Sequence, residues 1–125
     1  MFNIATSLEQ SKILKDILPL ESADMSYRPY REEGGIPDYK LDICPYRFAS
    51  WVGYPAWSLN ALLNYLKSKS ILEIEVADSF RIEADYYDEE ECKMVHPIHS
   101  IMYESEDSID ACYGMIIKLH EDGLL

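Results

Sequence analysis

The sequence lacks the features that mark membrane, secreted and disulfide-stabilised proteins. No apolar run approaches the length of about 18 residues that a transmembrane helix needs, so we expect no membrane span. The first residues lack a basic region followed by a long apolar region, and a secretory signal is therefore not predicted. Only three cysteines occur, and they are widely spaced: Cys44, Cys92 and Cys112. An odd number of cysteines without a signal predicts reduced thiols in a cytoplasmic protein.

Basic residues are scarce. The chain has 11 Lys and Arg against 23 Asp and Glu, which gives a formal net charge of −12. Direct binding to a nucleic-acid backbone needs clustered basic residues, and here the nearest basic residues are scattered among acids. They are Arg28, Arg31, Lys40 and Arg47. The sequence therefore predicts no direct nucleic-acid binding. The acidic excess has two interpretations, solubility alone or a face of carboxylates that mimics a phosphate backbone.

Patterns of the common catalytic classes are also missing. Gly34 and Gly35 are not followed by the Lys-Ser/Thr pair of a phosphate-binding loop. Ser58 lies in Ala-Trp-Ser-Leu-Asn rather than in the Gly-x-Ser-x-Gly turn of hydrolases. Cys112 falls on an apolar helix stripe, where a buried structural role is expected. These observations predict no cofactor and favour a protein that is not an enzyme.

One short segment has the residue types of a zinc site. Cys92, His96 and His99 have the spacing Cys-x3-His-x2-His, and thiolate and imidazole are zinc ligands. A fourth ligand would have to come from Cys44, His120 or one of Glu89 to Glu91. Two interpretations stay open. The histidines are loop residues bonded to nearby acids, or the three residues are the centre of a metal-dependent or small-molecule enzyme.

The apolar pattern is strongest in the middle of the chain, at residues 54–67. Four leucines recur there at the spacing of one helix face. They are Leu59, Leu62, Leu63 and Leu66. Pro55 suits the first helical position, and Trp57 adds a large apolar side chain to the first turn. We therefore predict a central core helix on which the flanking segments pack.

Helix and strand patterns flank this segment. Thr6 and Glu9 fit a capping box, which predicts a helix at residues 7–18. Asp107 is the predicted N-cap of the last helix, and Gly123 is placed for its C-cap. Alternation of apolar and polar residues predicts strands at 25–30, 39–43, 72–76 and 80–87. The predicted fold is a single α+β domain over residues 1–125, with three helices packed on a small, mainly antiparallel sheet.

Two stretches carry a family resemblance. The first is Pro55-Ala56-Trp57-Ser58-Leu59 with Ala61-Leu62-Leu63 and Leu66, and the second is Asp110-Ala111, Met115, Leu119 and Gly123-Leu124-Leu125. Together they resemble motifs of small uncharacterised proteins from prophages and other mobile elements of gut bacteria. The resemblance implies an intracellular, mobile-element setting. It implies no activity and no functional residues.

Tyrosines next to acidic residues suggest a binding surface. The chain has ten tyrosines, and tyrosine is favoured at interfaces because it buries area and keeps a polar tip. The predicted acidic, tyrosine-rich face comprises Asp85, Tyr86, Tyr87, Asp88, Glu89, Glu90, Glu91, Tyr103, Glu104, Glu106 and Asp107. We expect it to bind a basic protein partner, and a DNA-mimic inhibitor is the sharper version of this hypothesis. The alternative interpretation is that half of these tyrosines are core residues and the rest are rim residues. A homo-oligomeric structural protein is a further alternative for the function.

Overall fold

The computed structural model describes residues 4–33, 36–43, 53–86 and 99–125. Within them lie three α-helices and six strands in two antiparallel sheets of three strands each, which confirms the predicted α+β class. The helices are α1 (Leu8–Leu14), α2 (Leu59–Lys69) and α3 (Ser108–Glu121). The strands are β1 (Met25–Glu33), β2 (Ile36–Asp42), β3 (Tyr54–Ala56), β4 (Ile71–Val76), β5 (Phe80–Tyr86) and β6 (His99–Ser105). None of the described helices is long and apolar enough to cross a membrane.

The contacts divide the chain into two compact units, Met1–Leu62 and Leu63–Leu125. Each unit contains its own three-stranded sheet, whereas the sequence analysis predicted one sheet for the whole chain. The local alternation of residues identifies a strand, but it does not specify which other strand becomes its neighbour. The single domain predicted for residues 1–125 stays a prediction.

The first unit contains a sheet with the order β2-β1-β3. β1 and β2 extend beyond the predicted strands 25–30 and 39–43, and they pair down to Glu33 and Ile36. Pro29 is tolerated in the middle strand because β3 pairs only with residues Met25, Ser26 and Tyr27. The β1–β2 register also shifts just after Pro29. The small core of this sheet is made of Ala5, Met25 and Ala56, with Tyr27 and Leu41 packed against them.

The first helix begins one residue later than predicted. Ser7 is the N-cap of α1, and it forms a capping box with Gln10. Thr6 is buried instead, and its hydroxyl bonds to Ser11 Oγ at 2.8 Å and accepts from the Trp57 amide at 3.2 Å. Because the Thr6 hydroxyl is hydrogen-bonded to these buried groups, the next hydroxyl residue in the chain, Ser7, is the N-cap. The helix ends at Leu14, and residues 15–18 continue as turns.

The predicted central helix is present, but it begins at Leu59. Leu62 and Leu66 are fully buried, and Leu59 and Leu63 are half-buried, so the predicted apolar face is confirmed. The placement of Pro55 in the first helical turn is wrong, because Pro55 lies in β3 opposite Ser26. Ser58 starts the helix instead, since its Oγ accepts from the Ala61 amide at 3.2 Å.

The second unit contains a sheet with the order β4-β5-β6, and α3 packs on β5 and β6. Both predicted ends of α3 are confirmed. The Asp107 side chain accepts from the Asp110 amide at 3.0 Å. At the other end Gly123 has a φ of 73°, and the Leu124 amide donates to the Leu119 carbonyl at 2.9 Å. This is a left-handed C-cap of the Schellman type.

Candidate functional site

Negative charge is concentrated in one part of the chain. The first unit carries 6 basic and 8 acidic residues, and the second carries 5 basic and 15 acidic residues. The second unit therefore holds −10 of the net −12. A charge of this size on about half of the chain creates a local field that attracts basic surfaces.

The sheet of the second unit has two chemically different faces. Antiparallel pairing places Ile82 between Ile74 and Tyr103, and Glu83 between Glu73 and Met102. The first row belongs to an apolar face: Leu72, Ile74, Val76, Phe80, Ile82, Ala84, Ile101 and Tyr103. The second row belongs to what we call the acidic sheet face: Glu73, Glu75, Arg81, Glu83, Asp85, Ser100, Met102 and Glu104. α3 packs on the apolar face, since Gly114 lies against the Tyr103 ring.

The side chains of the acidic sheet face are mostly exposed. Arg81 Nη1 lies 3.7 Å from Glu75 Oε2, and these side chains are 45% and 70% exposed. Such a pair contributes little to stability, because water screens it. Ser100 Oγ lies 2.9 Å from Glu83 Oε1 and 2.8 Å from Asp85 Oδ1, and it donates its one hydrogen to one of these carboxylates at a time. Ser79 Oγ donates to Glu104 Oε1. One arginine among four glutamates leaves the face strongly negative.

The structure separates the residues of the predicted tyrosine-rich face. Asp85 lies on the acidic sheet face but is buried, and its Oδ1 lies 2.8 Å from the Ser100 Oγ that it shares with Glu83. Glu104 lies on the acidic sheet face, whereas Tyr103 lies on the opposite face. Adjacent residues of a strand point to opposite sides, so these two do not form one surface. Tyr103 is half-buried, and Lys118 Nζ lies 5.8 Å from its ring centroid.

The remaining residues of that face have different positions. Glu106 is exposed just before α3, and Asp107 caps this helix. Tyr86 ends β5, and Tyr87, Asp88, Glu89, Glu90 and Glu91 lie outside the described residues. The prediction that these loop residues bind a partner therefore stays a prediction.

The zinc hypothesis also falls mostly outside the described residues. Cys92 and His96 are not described, and His99 begins β6. In the described ranges no group of three His, Cys, Asp or Glu side chains could hold a metal ion. Zinc binding by Cys92, His96 and His99 stays a prediction.

Ser58 and Asp24 form a hydrogen-bonded side-chain pair in the first unit, and their role is structural. Asp24 Oδ1 accepts from the Ser58 amide at 2.9 Å, and Asp24 Oδ2 accepts from Ser58 Oγ. Ser58 is also the N-cap of α2. All three histidines of the chain belong to the second unit, so the first unit supplies no Ser-His-Asp arrangement. The pair holds the start of the helix against the turn before β1.

Cys112 is a buried structural residue, as predicted from its helix stripe. Its thiol is fully buried, and this burial raises its pKa to about 12. The negative charge of the nearby Asp107 carboxylate contributes to the increase as the smaller cause. The reactive thiolate is therefore suppressed at neutral pH.

This burial predicts a loss of stability in alkaline solution. The unfolded thiol ionises at about its ordinary pKa of 9.0, whereas the folded thiol stays neutral up to about 12. Stability is therefore fully present below pH 9.0 and falls as the pH rises through this window, by about 1.4 kcal/mol per pH unit. Burial also raises the pKa of Tyr27, Tyr65 and Tyr113, which adds to the loss at higher pH. Urea unfolding at a series of pH values measures the slope.

The matched control for this prediction is Cys112→Ala. Its stability should stay level from pH 9.0 until the tyrosines begin to ionise at about their ordinary value of 10.0. Equal slopes for this variant and the wild-type protein in that interval would contradict a titrating Cys112.

The residues that sequence reasoning missed are the strand glutamates. Glu73, Glu75 and Glu83 are not part of the predicted acidic, tyrosine-rich face. The signal that could have found them is the register of the hairpin, which places Glu73 beside Glu83. The register joins separate alternating segments into one charged surface.

Comparison of the chain with protein-family models, curated proteins and solved structures gives no match. The resemblance to prophage and mobile-element proteins therefore stays a prediction. Function has to be inferred from the geometry and charge of the described residues.

Proposed function

We propose that this chain is a non-enzymatic cytoplasmic protein of a mobile element that binds a basic protein partner through the acidic sheet face. The observation that carries the proposal is that Glu73, Glu83 and Glu104, one from each strand, place three carboxylates on one face of one sheet. They lie in the unit that holds 15 of the 23 acidic residues. The mobile-element setting rests on the sequence resemblance alone.

The physical basis is electrostatic complementarity. Exposed carboxylates on a rigid sheet attract a basic surface over long range and speed its association. Asp88 to Glu91 lie outside the described residues, and they contribute four of the negative charges of the second unit. A DNA-mimic inhibitor is the specific form of this function in which the partner is a DNA-binding protein. In that form, duplex DNA and this chain compete for the partner.

Charge reversal on the acidic sheet face tests the proposal. Glu73 and Glu83 are cross-strand neighbours, so Glu73→Lys with Glu83→Lys replaces one like-charge pair by another. The matched control is Asp16→Lys with Glu21→Lys, which makes the same charge change at exposed positions of the first unit. Far-UV circular dichroism checks that all variants fold.

Binding is measured with a partner identified by mass spectrometry after capture from a bacterial lysate. We expect the sheet variant to weaken the affinity of the purified partner at least about tenfold, and the control to change it much less. Calorimetry at low and high salt should show weaker binding at high salt. Equal affinities for the two variants would refute the acidic sheet face as the binding surface. Competition by duplex DNA decides the DNA-mimic form.

A further inference from the structure

β4 is an edge strand with an unusual surface. In the described sheet, β5 has a neighbour on both sides, whereas β4 is paired with β5 alone. An edge strand presents a row of backbone N–H and C=O groups that another strand can pair with. β4 spans six residues, which is the common length of a strand.

The apolar side of this edge is incompletely covered. α3 packs on β5 and β6, and the β4 side chains Ile74 and Val76 remain 43% and 72% exposed. A groove lined by Lys67, Ser70, Leu72 and Ile74 runs along the same strand. The edge therefore offers exposed apolar side chains on one side and the carboxylates Glu73 and Glu75 on the other.

A second copy of the chain is poorly suited to this edge. If β4 paired antiparallel with its own copy about Ile74, Glu73 of one chain would lie opposite Glu75 of the other. Like charges directly opposite each other destabilise a strand pair. Glutamates on an edge are a known device against self-association. The same charges favour a strand whose alternate residues are Lys or Arg.

We propose that β4 is extended by a strand from a basic partner, about six residues long, in which apolar and basic residues alternate. Its apolar side chains would lie beside Ile74 and Val76, and its basic side chains beside Glu73 and Glu75. This mode of binding rests on the proposed function for the sign of the partner's charge. It adds the backbone geometry through which the partner is held.

A capped nine-residue peptide that alternates lysine with valine is the probe, with the full-length protein as receptor. Two further peptides carry N-methyl groups, one on the amides of the odd positions and one on those of the even positions. A strand added to an edge uses the amides of one side only. We expect one methylated peptide to bind at least about tenfold more weakly than the parent, and the other to bind as the parent does. Fluorescence anisotropy measures the affinities.

The peptide outcomes separate strand addition from attraction by charge alone. The proposal is overturned if both methylated peptides bind as tightly as the parent, and also if both bind equally weakly. An isomer with all its lysines before all its valines has the same charge, and equal binding of this isomer also overturns it. Val76→Ser removes an apolar contact without changing the charge, so it should weaken binding of the parent peptide and leave the circular dichroism spectrum unchanged. An unchanged affinity counts against the proposal. A dimer that Val76→Ser dissociates would identify a second copy as the occupant and overturn the proposal.

These outcomes are distinguishable from a failure of the proposed function. If strand addition is wrong and the acidic sheet face still binds the partner, the Glu73→Lys with Glu83→Lys variant weakens partner binding while both methylated peptides behave alike. If the proposed function is wrong, that variant binds the partner as the control does.

Discussion

Replacing Trp57 by alanine should lower the free energy of unfolding by about 3–5 kcal/mol. Trp57 is the largest fully buried side chain of the chain's described core. Its removal leaves a cavity that the neighbouring elements cannot fill without moving, because β3 and α2 adjoin it on both sides in the chain. The loss of buried apolar area and the cavity both act in the same direction.

The polar contacts of Trp57 explain why a smaller aromatic residue should not fully replace it. The indole Nε1 donates to Ser22 Oγ at 2.9 Å. The Trp57 backbone amide donates to Thr6 Oγ1, and the Trp57 carbonyl accepts from the Thr6 amide. Trp57→Phe keeps the backbone bonds and much of the volume, but it loses the bond to Ser22. We expect its stability to lie between those of wild type and Trp57→Ala.

Urea unfolding followed by far-UV circular dichroism measures these differences. Ile43→Ala is the control, because Ile43 is 80% exposed, and its substitution should change stability by no more than about 0.5 kcal/mol. A loss for Trp57→Ala as small as that of the control would contradict the burial of Trp57.

The helices were the most predictable elements, because their signals are local. The leucine face of α2 repeats every three or four residues, and both ends of α3 carry their own capping residues. Asp107 and Gly123 cap the two ends of α3, and each forms its hydrogen bond with a residue in the adjacent turn. Neither prediction required knowledge of a distant part of the chain.

The errors lie where a distant partner outweighs a local preference. Pro55 fits a helix start, but its segment pairs with β1, which is far away in the sequence. Thr6 fits an N-cap, but Ser11 and the Trp57 amide bind its hydroxyl. In both cases a long-range contact moved the helix start toward the next capping residue, Ser7 or Ser58.

The sequence predicts the negative charge of the candidate site but not the set of residues that form its surface, because that set depends on contacts between strands. Composition gives the negative charge, but only the register of β4, β5 and β6 shows which acids share a face. Tyr103 and Glu104 are adjacent in sequence and lie on opposite faces. Asp85 was expected on the surface, but it is buried. The pairing of its strand with β6 places Ser100 next to its carboxylate.

Gly114 should respond to alanine with opposite signs in two backgrounds. A β-carbon at this position would lie 2.2 Å from Cε1 and Cζ of the Tyr103 ring. In the wild-type protein the ring must move away from α3, so we expect Gly114→Ala to lower stability by about 1–3 kcal/mol. In a Tyr103→Ala background the three ring atoms nearest to this β-carbon are gone, and the better helix propensity of alanine should raise stability by about 1 kcal/mol.

Urea unfolding of the four proteins of this double-mutant cycle measures the coupling between the two positions. Lys118→Ala serves as a control for the cation above the Tyr103 ring, because Lys118 Nζ lies 5.8 Å from the ring centroid and is exposed to solvent. Its removal should leave the sign reversal in place. If Gly114→Ala has the same effect with and without the tyrosine ring, the close approach of α3 to β6 does not depend on this contact. The Tyr103 ring holds the apolar face against α3, so the acidic sheet face on the opposite side of the sheet stays exposed to solvent.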